Sequence, residues 1–378
     1  MKKLYIHIGN HKTGTTSIQG VLKNSKNLLE SHGLSYFSTS PNGELMQAGN
    51  SWVSACYNDI KQGRTGKIVN PSLLSKMLGE CKGDVVFSSE NLSWIFDINE
   101  IILLKSALDL YFDQFEIICY LRRQDKQIVS HKLQGAKHKG ATNSAYYDGD
   151  YYAIPVVRNN YDEYLDYNKR IGLWADVFGD KSITLKVYER TELLRGDVVD
   201  DFLELMGIEY INDEIEYNKT TSLVDTKIGL IANSFSLGCL DAIIRENGDN
   251  SDKMSPSKEQ AKCFYNKYLE SNIALSTRFR VFNKDSIFDD DFSNYPECQK
   301  DIFTNDTAVK SIEQIFSNLE VVSQLLRPED LYFLVANGND QYHKSSIRAL
   351  KLAMRLTPDK NKNLKAKIRE LLNEVSRA

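Results

Sequence analysis

Apolar and polar positions alternate from the start of the chain. Leu4, Ile6 and Ile8 are separated by Tyr5 and His7, the two-residue period of a β-strand. A polar loop from Gly9 to Thr16 follows, after which Ile18, Val21, Leu22, Leu28 and Leu29 recur at helical spacing. Further strands are predicted at Val85–Phe87, Ile117–Leu121 and Ile183–Tyr188. The last leads into a helix with Val199, Phe202, Leu203 and Met206 on one face and Gly207 where a left-handed cap belongs. Strands alternating with helices in this way predict an α/β fold, a mostly parallel sheet flanked by helices. From about Asp213 the pattern turns largely helical, with Ile228, Leu230 and Ile231 and later Ile312, Ile315, Phe316 and Leu319. The end of the chain reads as two short helices joined at Thr357-Pro358-Asp359, the second with Leu364, Ile368, Leu371, Leu372 and Val375 on one side. The expected organisation is an α/β domain over residues 1–325, largely helical from about 213, and a basic helical-hairpin tail over 326–378. One such hairpin cannot bury its own apolar face, so it is expected to dock on the body or on a partner.

Composition narrows the function classes. The 378 residues are 42% hydrophobic and 26% charged, which excludes a disordered or fibrous chain. No window approaches the roughly 18 apolar residues of a membrane span. The first strand begins so early that a leader has no room, and the six cysteines lack the paired spacing of a zinc site or disulfide framework, so a cytoplasmic location is expected. The net charge of −4 conceals an asymmetry. Residues 341–378 hold ten Lys/Arg against three Asp/Glu, or +7, leaving −11 for the rest. Nucleic-acid binding by the body is therefore not expected. The tail is a candidate for peripheral contact with anionic lipid or for binding a partner.

The candidate chemistry begins in the loop Gly9-Asn10-His11-Lys12-Thr13-Gly14-Thr15-Thr16-Ser17. A strand entering a glycine-containing loop that opens a helix presents backbone N–H groups and a positive helix end to an anion. Lys12 adds a charge, and Thr15 and Thr16 add hydroxyls. An ATP-binding P-loop needs lysine directly after its second glycine, then Ser or Thr for magnesium. Here Thr15 follows Gly14 and the lysine lies two positions upstream of that glycine. The loop suits a phosphate without being built around a magnesium–triphosphate complex.

The run Lys12-Thr13-Gly14-Thr15-Thr16 resembles the 5′-phosphosulfate-binding loop of sulfotransferases that use 3′-phosphoadenosine 5′-phosphosulfate (PAPS), whose pattern is Lys-x-Gly-Thr-Thr. Arg122, after the strand ending at Leu121, and Ser130 have the eight-residue separation with which that family holds the donor's 3′-phosphate. Gln124 and Gln127 stand where the family usually has Pro and Arg, Lys132 where an aromatic residue is common, and Arg123 is an alternative to Arg122. Val187-Tyr188-Glu189-Arg190, the stretch from Tyr161 to Gly179, Leu205-Met206-Gly207-Ile208, the Asn218-Lys219-Thr220 loop and Asn272 to Phe288 are similar to further family elements, so the resemblance spans residues 3 to about 290. It implies a P-loop-like sheet, PAPS as donor co-substrate without a metal, and a donor site made of His11, Lys12, Thr13, Gly14, Thr15, Thr16, Ser17, Arg122, Ser130 and Asn218. The tail lies outside it.

Sulfuryl transfer needs a base for the attacking hydroxyl and cations for the charge on the transferred group and leaving phosphate. Lys12 is expected to supply the catalytic cation. Glu90, in Ser88-Ser89-Glu90-Asn91 just past a predicted strand, is the expected base, with Ser89 as a neighbouring donor-binding hydroxyl and His11 and His131 as competing bases. Tyrosines and lysines between His131 and Tyr152 suit a charged saccharide or another hydroxyl-bearing small acceptor, although a solvated loop with its tyrosines packed against the body is the favoured reading. Asp289-Asp290-Asp291 reads as solvated surface. The expected activity is sulfation of a carbohydrate or related acceptor. The rivals are a nucleotide kinase-like P-loop enzyme and a PAPS-binding scaffold without turnover.

Overall fold

A computed structural model of the chain describes residues 1–40, 42–44, 50–55, 66–137, 147, 152–210, 222–234, 253–280, 285–302, 304–305, 308–309, 328–329, 332, 350–354, 357–358 and 361–375. They belong to two units, Met1–Cys239 with Gly248–Ile302, and Leu240–Asn247 with Phe303–Ala378.

The first unit is α/β. Along the chain run β1 (Lys3–His7), α1 (Thr15–Asn24), α2 (Lys26–Ser31), β2 (Leu34–Phe37), the short antiparallel pair β3 (Ser54–Ala55) and β4 (Lys67–Ile68), α3 (Pro71–Gly79) and β5 (Asp84–Ser88). Then come α4 (Ile98–Leu108), β6 (Gln114–Leu121), α5 (Gln124–Lys137), α6 (Asn159–Leu165), α7 (Tyr167–Phe178), β7 (Ile183–Val187) and α8 (Val198–Glu204). Beyond these lie α9 (Leu223–Ser234), α10 (Lys258–Asn266) and α11 (Leu269–Phe279). Five strands form one all-parallel sheet in the order β2-β5-β1-β6-β7. The register sets His7 against Ser88 and Ile118, and Leu121 against Val187, so the chain leaves β1, β5, β6 and β7 along one edge.

Alternation in β1 separates two cores rather than core from solvent. Leu4, Ile6 and Ile8 pack on one side of the sheet with Trp174 and Leu104. Tyr5 packs on the other with Ile18 and Leu22 of α1 and Phe202 of α8. A parallel sheet covered on both faces requires this. The four predicted strands and the helix after β7 are present, and Gly207 is left-handed as its position predicts. β2 was not legible, because only its end residues Leu34 and Phe37 are buried and Ser35-Tyr36 break the period.

In the second unit α12 (Lys362–Val375) buries Leu364 and Ile368 against Leu350 and Ala353, with Leu371, Leu372 and Val375 packed alongside. This is the predicted apolar side. The expected helix at Ile312–Leu319 lies outside the described residues. Among the described residues no helix is long and apolar enough to cross a membrane.

The second core contains one titratable misfit. His7 is fully buried, with its ring 5.2 Å from that of Phe202 and 6.0 Å from that of Tyr120. Its Nδ1 lies 2.9 Å from the Ser88 hydroxyl, which itself accepts from Gln19. Its Nε2 has no hydrogen-bond partner among the described residues. Burial disfavours the charged ring and lowers its pKa from 6.5 to about 4. Unfolding therefore takes up a proton within this window, and stability falls as pH drops from about 6.5 to about 4. The gap between the two values corresponds to roughly 3 kcal/mol. Urea-unfolding midpoints near neutrality and near pH 4 are expected to differ less in His7→Leu than in the wild type; equal acid sensitivity in the two proteins would refute this.

Candidate functional site

The loop between β1 and α1 has an unusual backbone. Gly9, Lys12 and Gly14 all have positive φ, at 77°, 65° and 76°. Such values are strained for lysine and free for glycine. A Cβ at Gly9 would lie 2.8 Å from the Glu90 Cα, and one at Gly14 would lie 2.5 Å from Val198 Cγ1. Gly14 is the N-cap of α1, yet no side chain caps the helix and its first turn holds no acidic residue. The N–H groups of that turn therefore face outward as donors. Thr13 turns inward, and its hydroxyl donates to the Asn10 carbonyl at 2.7 Å. Thr16 and Ser17 are exposed, and Lys12 is partly exposed.

Glu90 is built into this loop. Its Oε2 accepts from the Thr15 hydroxyl at 2.5 Å, and its Oε1 is 3.4 Å from His11 Nδ1. Burial would raise its pKa, but the adjacent His11 ring and the Thr15 hydroxyl outweigh that and hold it at about 2. The side chain is still 36% exposed. His11 is fixed on every side. The Trp94 indole N–H donates to its Nε2 at 2.8 Å, and its own backbone N–H donates to the Tyr164 hydroxyl at 2.9 Å. Because an indole only donates, a neutral His11 carries its proton on Nδ1, toward Glu90. The expected donor-binding hydroxyl of Ser89 is instead buried and donates to the Asn50 carbonyl, where it ties the end of β5 to the segment between β2 and β3.

The second predicted segment reaches the first. Arg122 Nη1 donates to the Lys12 carbonyl at 3.3 Å, and its guanidinium lies 5.8 Å from the ring centre of Tyr188, a side chain that also lines Gly14. The alternative, Arg123, is occupied elsewhere. It is buried, pairs with Asp125 through Nε and Nη2 at 2.8 and 3.0 Å, and donates to Asp289 Oδ1 at 2.9 Å and the Asp291 carbonyl at 2.7 Å. Asp289, Asp290 and Asp291 are exposed, as the reading of that run as solvated surface expects, and Asp289 in addition clamps Arg123. The two glutamines that break the family pattern are tethers. Gln124 and Asn272 exchange amide hydrogen bonds at 2.8 and 3.1 Å, and Gln127 donates to the His11 carbonyl at 2.8 Å. Ser130 is partly buried on α5. Asn218 and most of the tyrosine- and lysine-rich stretch up to Tyr151 lie outside the described residues.

His131 sits inside an aromatic cluster. It is 4% exposed, stacks on Tyr161 at 5.0 Å and lies 2.5 Å from the Tyr147 hydroxyl through Nδ1. Burial, with His11 and Lys12 nearby, lowers its pKa well below the ordinary value. Tyr147, from the candidate acceptor stretch, is fully buried beside Tyr161 and Tyr164, so it packs against the body as the plainer reading of that stretch expects. Sequence reasoning missed Trp94, Gln127 and Asn10, whose roles depend on partners far away along the chain. Among the described residues no cluster of His, Cys, Asp or Glu is arranged to hold a metal.

No family model and no solved structure matches the chain. A protein of Archaeoglobus fulgidus described as an uncharacterized protein is 28% identical over 138 residues, which cover 35% of this chain and 33% of that protein. The match thus spans one third of the relative's length.

The contact between Gly9 and Glu90 makes a sharp prediction. Gly9→Ala combines a left-handed backbone with a clash and is expected to destabilise by roughly 1–3 kcal/mol. Gly20→Ala, inside α1 with open space around its Cβ, is expected to stabilise by roughly 0.5–1 kcal/mol. Chemical denaturation of both variants checks the pair, and a tolerated Gly9→Ala would contradict the loop geometry.

Proposed function

We propose that the protein transfers the sulfuryl group of PAPS to a hydroxyl of a carbohydrate or related small acceptor. The observation that carries this reading is the hydrogen bond from Arg122 to the Lys12 carbonyl. It joins, at one sheet edge, the two segments whose sequences resemble the 5′-phosphosulfate and 3′-phosphate sites of that family. The uncapped start of α1, the left-handed loop and a lysine upstream of Gly14 suit a phosphosulfate. They lack the lysine that grips a nucleoside triphosphate.

In the proposed step the acceptor oxygen bonds to sulfur while the bond from sulfur to the bridging phosphate oxygen breaks. The hydroxyl proton passes to Glu90, and 3′-phosphoadenosine 5′-phosphate leaves. A carboxylate held at about pKa 2 is a weak base toward a resting alcohol. The proton therefore moves late, as the attacking oxygen acquires positive character. Lys12 stabilises charge on the transferred group and the leaving phosphate. Arg122 and Ser130 are the proposed 3′-phosphate ligands, and a cytoplasmic site of action is part of the proposal.

Calorimetry is expected to show 3′-phosphoadenosine 5′-phosphate binding without magnesium and in preference to ATP. Magnesium-dependent ATP binding in its place would sink the reading. Radiolabelled sulfate transfer to a saccharide panel is expected to fall on the order of 100-fold in Lys12→Ala. It is expected to fall similarly in Glu90→Gln, whose amide oxygen still accepts from Thr15. Full activity in Glu90→Gln would remove it as the base.

A further inference from the structure

Beneath the loop lies an arginine that the proposed chemistry does not use. Arg170, on α7, is 1% exposed, and its Nη2 donates to Asn10 Oδ1 at 2.5 Å. Among the described residues its Nε and Nη1 have no hydrogen-bond partner, and neither does Asn10 Nδ2, although all three atoms are buried. Among the described residues no carboxylate pairs with Arg170. Its other neighbours are the rings of Tyr164 and Tyr167, 4.9 and 5.4 Å from the guanidinium carbon, and the Cys119 thiol, which points at the Gly9 carbonyl at 2.8 Å. Two aromatic faces compensate a buried cation only in part.

We propose that Arg170 is a positioning residue that supplies a buried, uncompensated positive charge to the loop through Asn10, and that the anion bound by the loop is its counter-charge. Buried guanidinium groups are ordinarily paired, because desolvation is costly. Here, among the described residues, the polar contacts are the neutral Cys119 thiol and the loop itself, at the residue between Gly9 and His11. In a region of low effective dielectric the charge acts over several ångströms on whatever the loop holds. It adds to the dipole of α1 and to Lys12, so the loop favours a group with more than one negative charge. The ligand-free protein bears the cost of the unpaired cation, and binding relieves it.

The idea rests on the loop being the anion site, and its test separates the two. Pyrophosphate and 3′-phosphoadenosine 5′-phosphate are titrated calorimetrically into the full chain, and ligand-free melting temperatures are measured. Arg170→Met is expected to bind both anions on the order of 10- to 100-fold more weakly, with its ligand-free melting temperature unchanged or raised. Arg170→Lys, which keeps the charge, is expected to retain most of the affinity. Asn10→Asp sets a carboxylate against Nη2 with little change in shape, and is expected to raise the ligand-free melting temperature while weakening anion binding. Arg170→Met binding within twofold of wild type, or Asn10→Asp melting below it, overturns the inference while leaving the donor reading intact. If Arg170→Met does not fold, the Asn10→Asp melting temperature decides alone. A wild type that binds pyrophosphate but not the nucleotide removes the donor reading only; one that binds neither removes both.

Discussion

The exits of β1 and β5 touch at a point where a methyl group has no room. Glycine at position 9 lets the first strand turn against the backbone of Glu90, and the rest of the site is built outward from that contact. Glu90 then reaches Thr15 at the start of α1 and His11 in the middle of the loop. His11 is held in turn by Trp94 and Tyr164, and the Asn10 side chain points down to Arg170. A lysine held at positive φ is tolerable here because its neighbours on both sides are fixed by side-chain contacts. The loop is preformed, so a ligand meets donors already oriented and loses little free energy to ordering them.

The fold was largely legible in the sequence because a doubly covered parallel sheet writes its strands as apolar runs. Val85 to Phe87 and Ile117 to Leu121 are such runs, Leu4 to Ile8 alternates between the two covering cores, and the structure contains each. The loop was legible for a related reason, since its chemistry is contiguous from Gly9 to Ser17. Side chains whose partners are remote were not. Gln124 meets Asn272, Gln127 meets the His11 carbonyl, and Arg123 meets Asp289, each across more than a hundred residues. From sequence the two glutamines were departures from a pattern; in the folded chain they bind α5 to α11 and to the loop. Tyr147 follows the plainer of the two readings of its stretch, a ring packed against the body: with Tyr161 and Tyr164 it closes a core behind His11.

Electrostatics in the site run against the balance of the body. Outside the tail the chain carries excess acid, yet Lys12, Arg122 and Arg170 converge on one loop whose helix dipole has the same sign. Glu90 is the acid set among them, and its low pKa reflects the His11 ring and the Thr15 hydroxyl that hold it. A small polyanion is attracted to such a focus, while an extended one is repelled by the surroundings.

The indole of Trp94 is packed face to face with Tyr164 and commits its N–H to His11. An indole's emission depends on the strength of the hydrogen bond it donates and on the polarity around it. The chain thus contains an optical readout wired to the loop, in which any change of charge or hydration at that imidazole registers as a spectral displacement of one tryptophan without a label being attached.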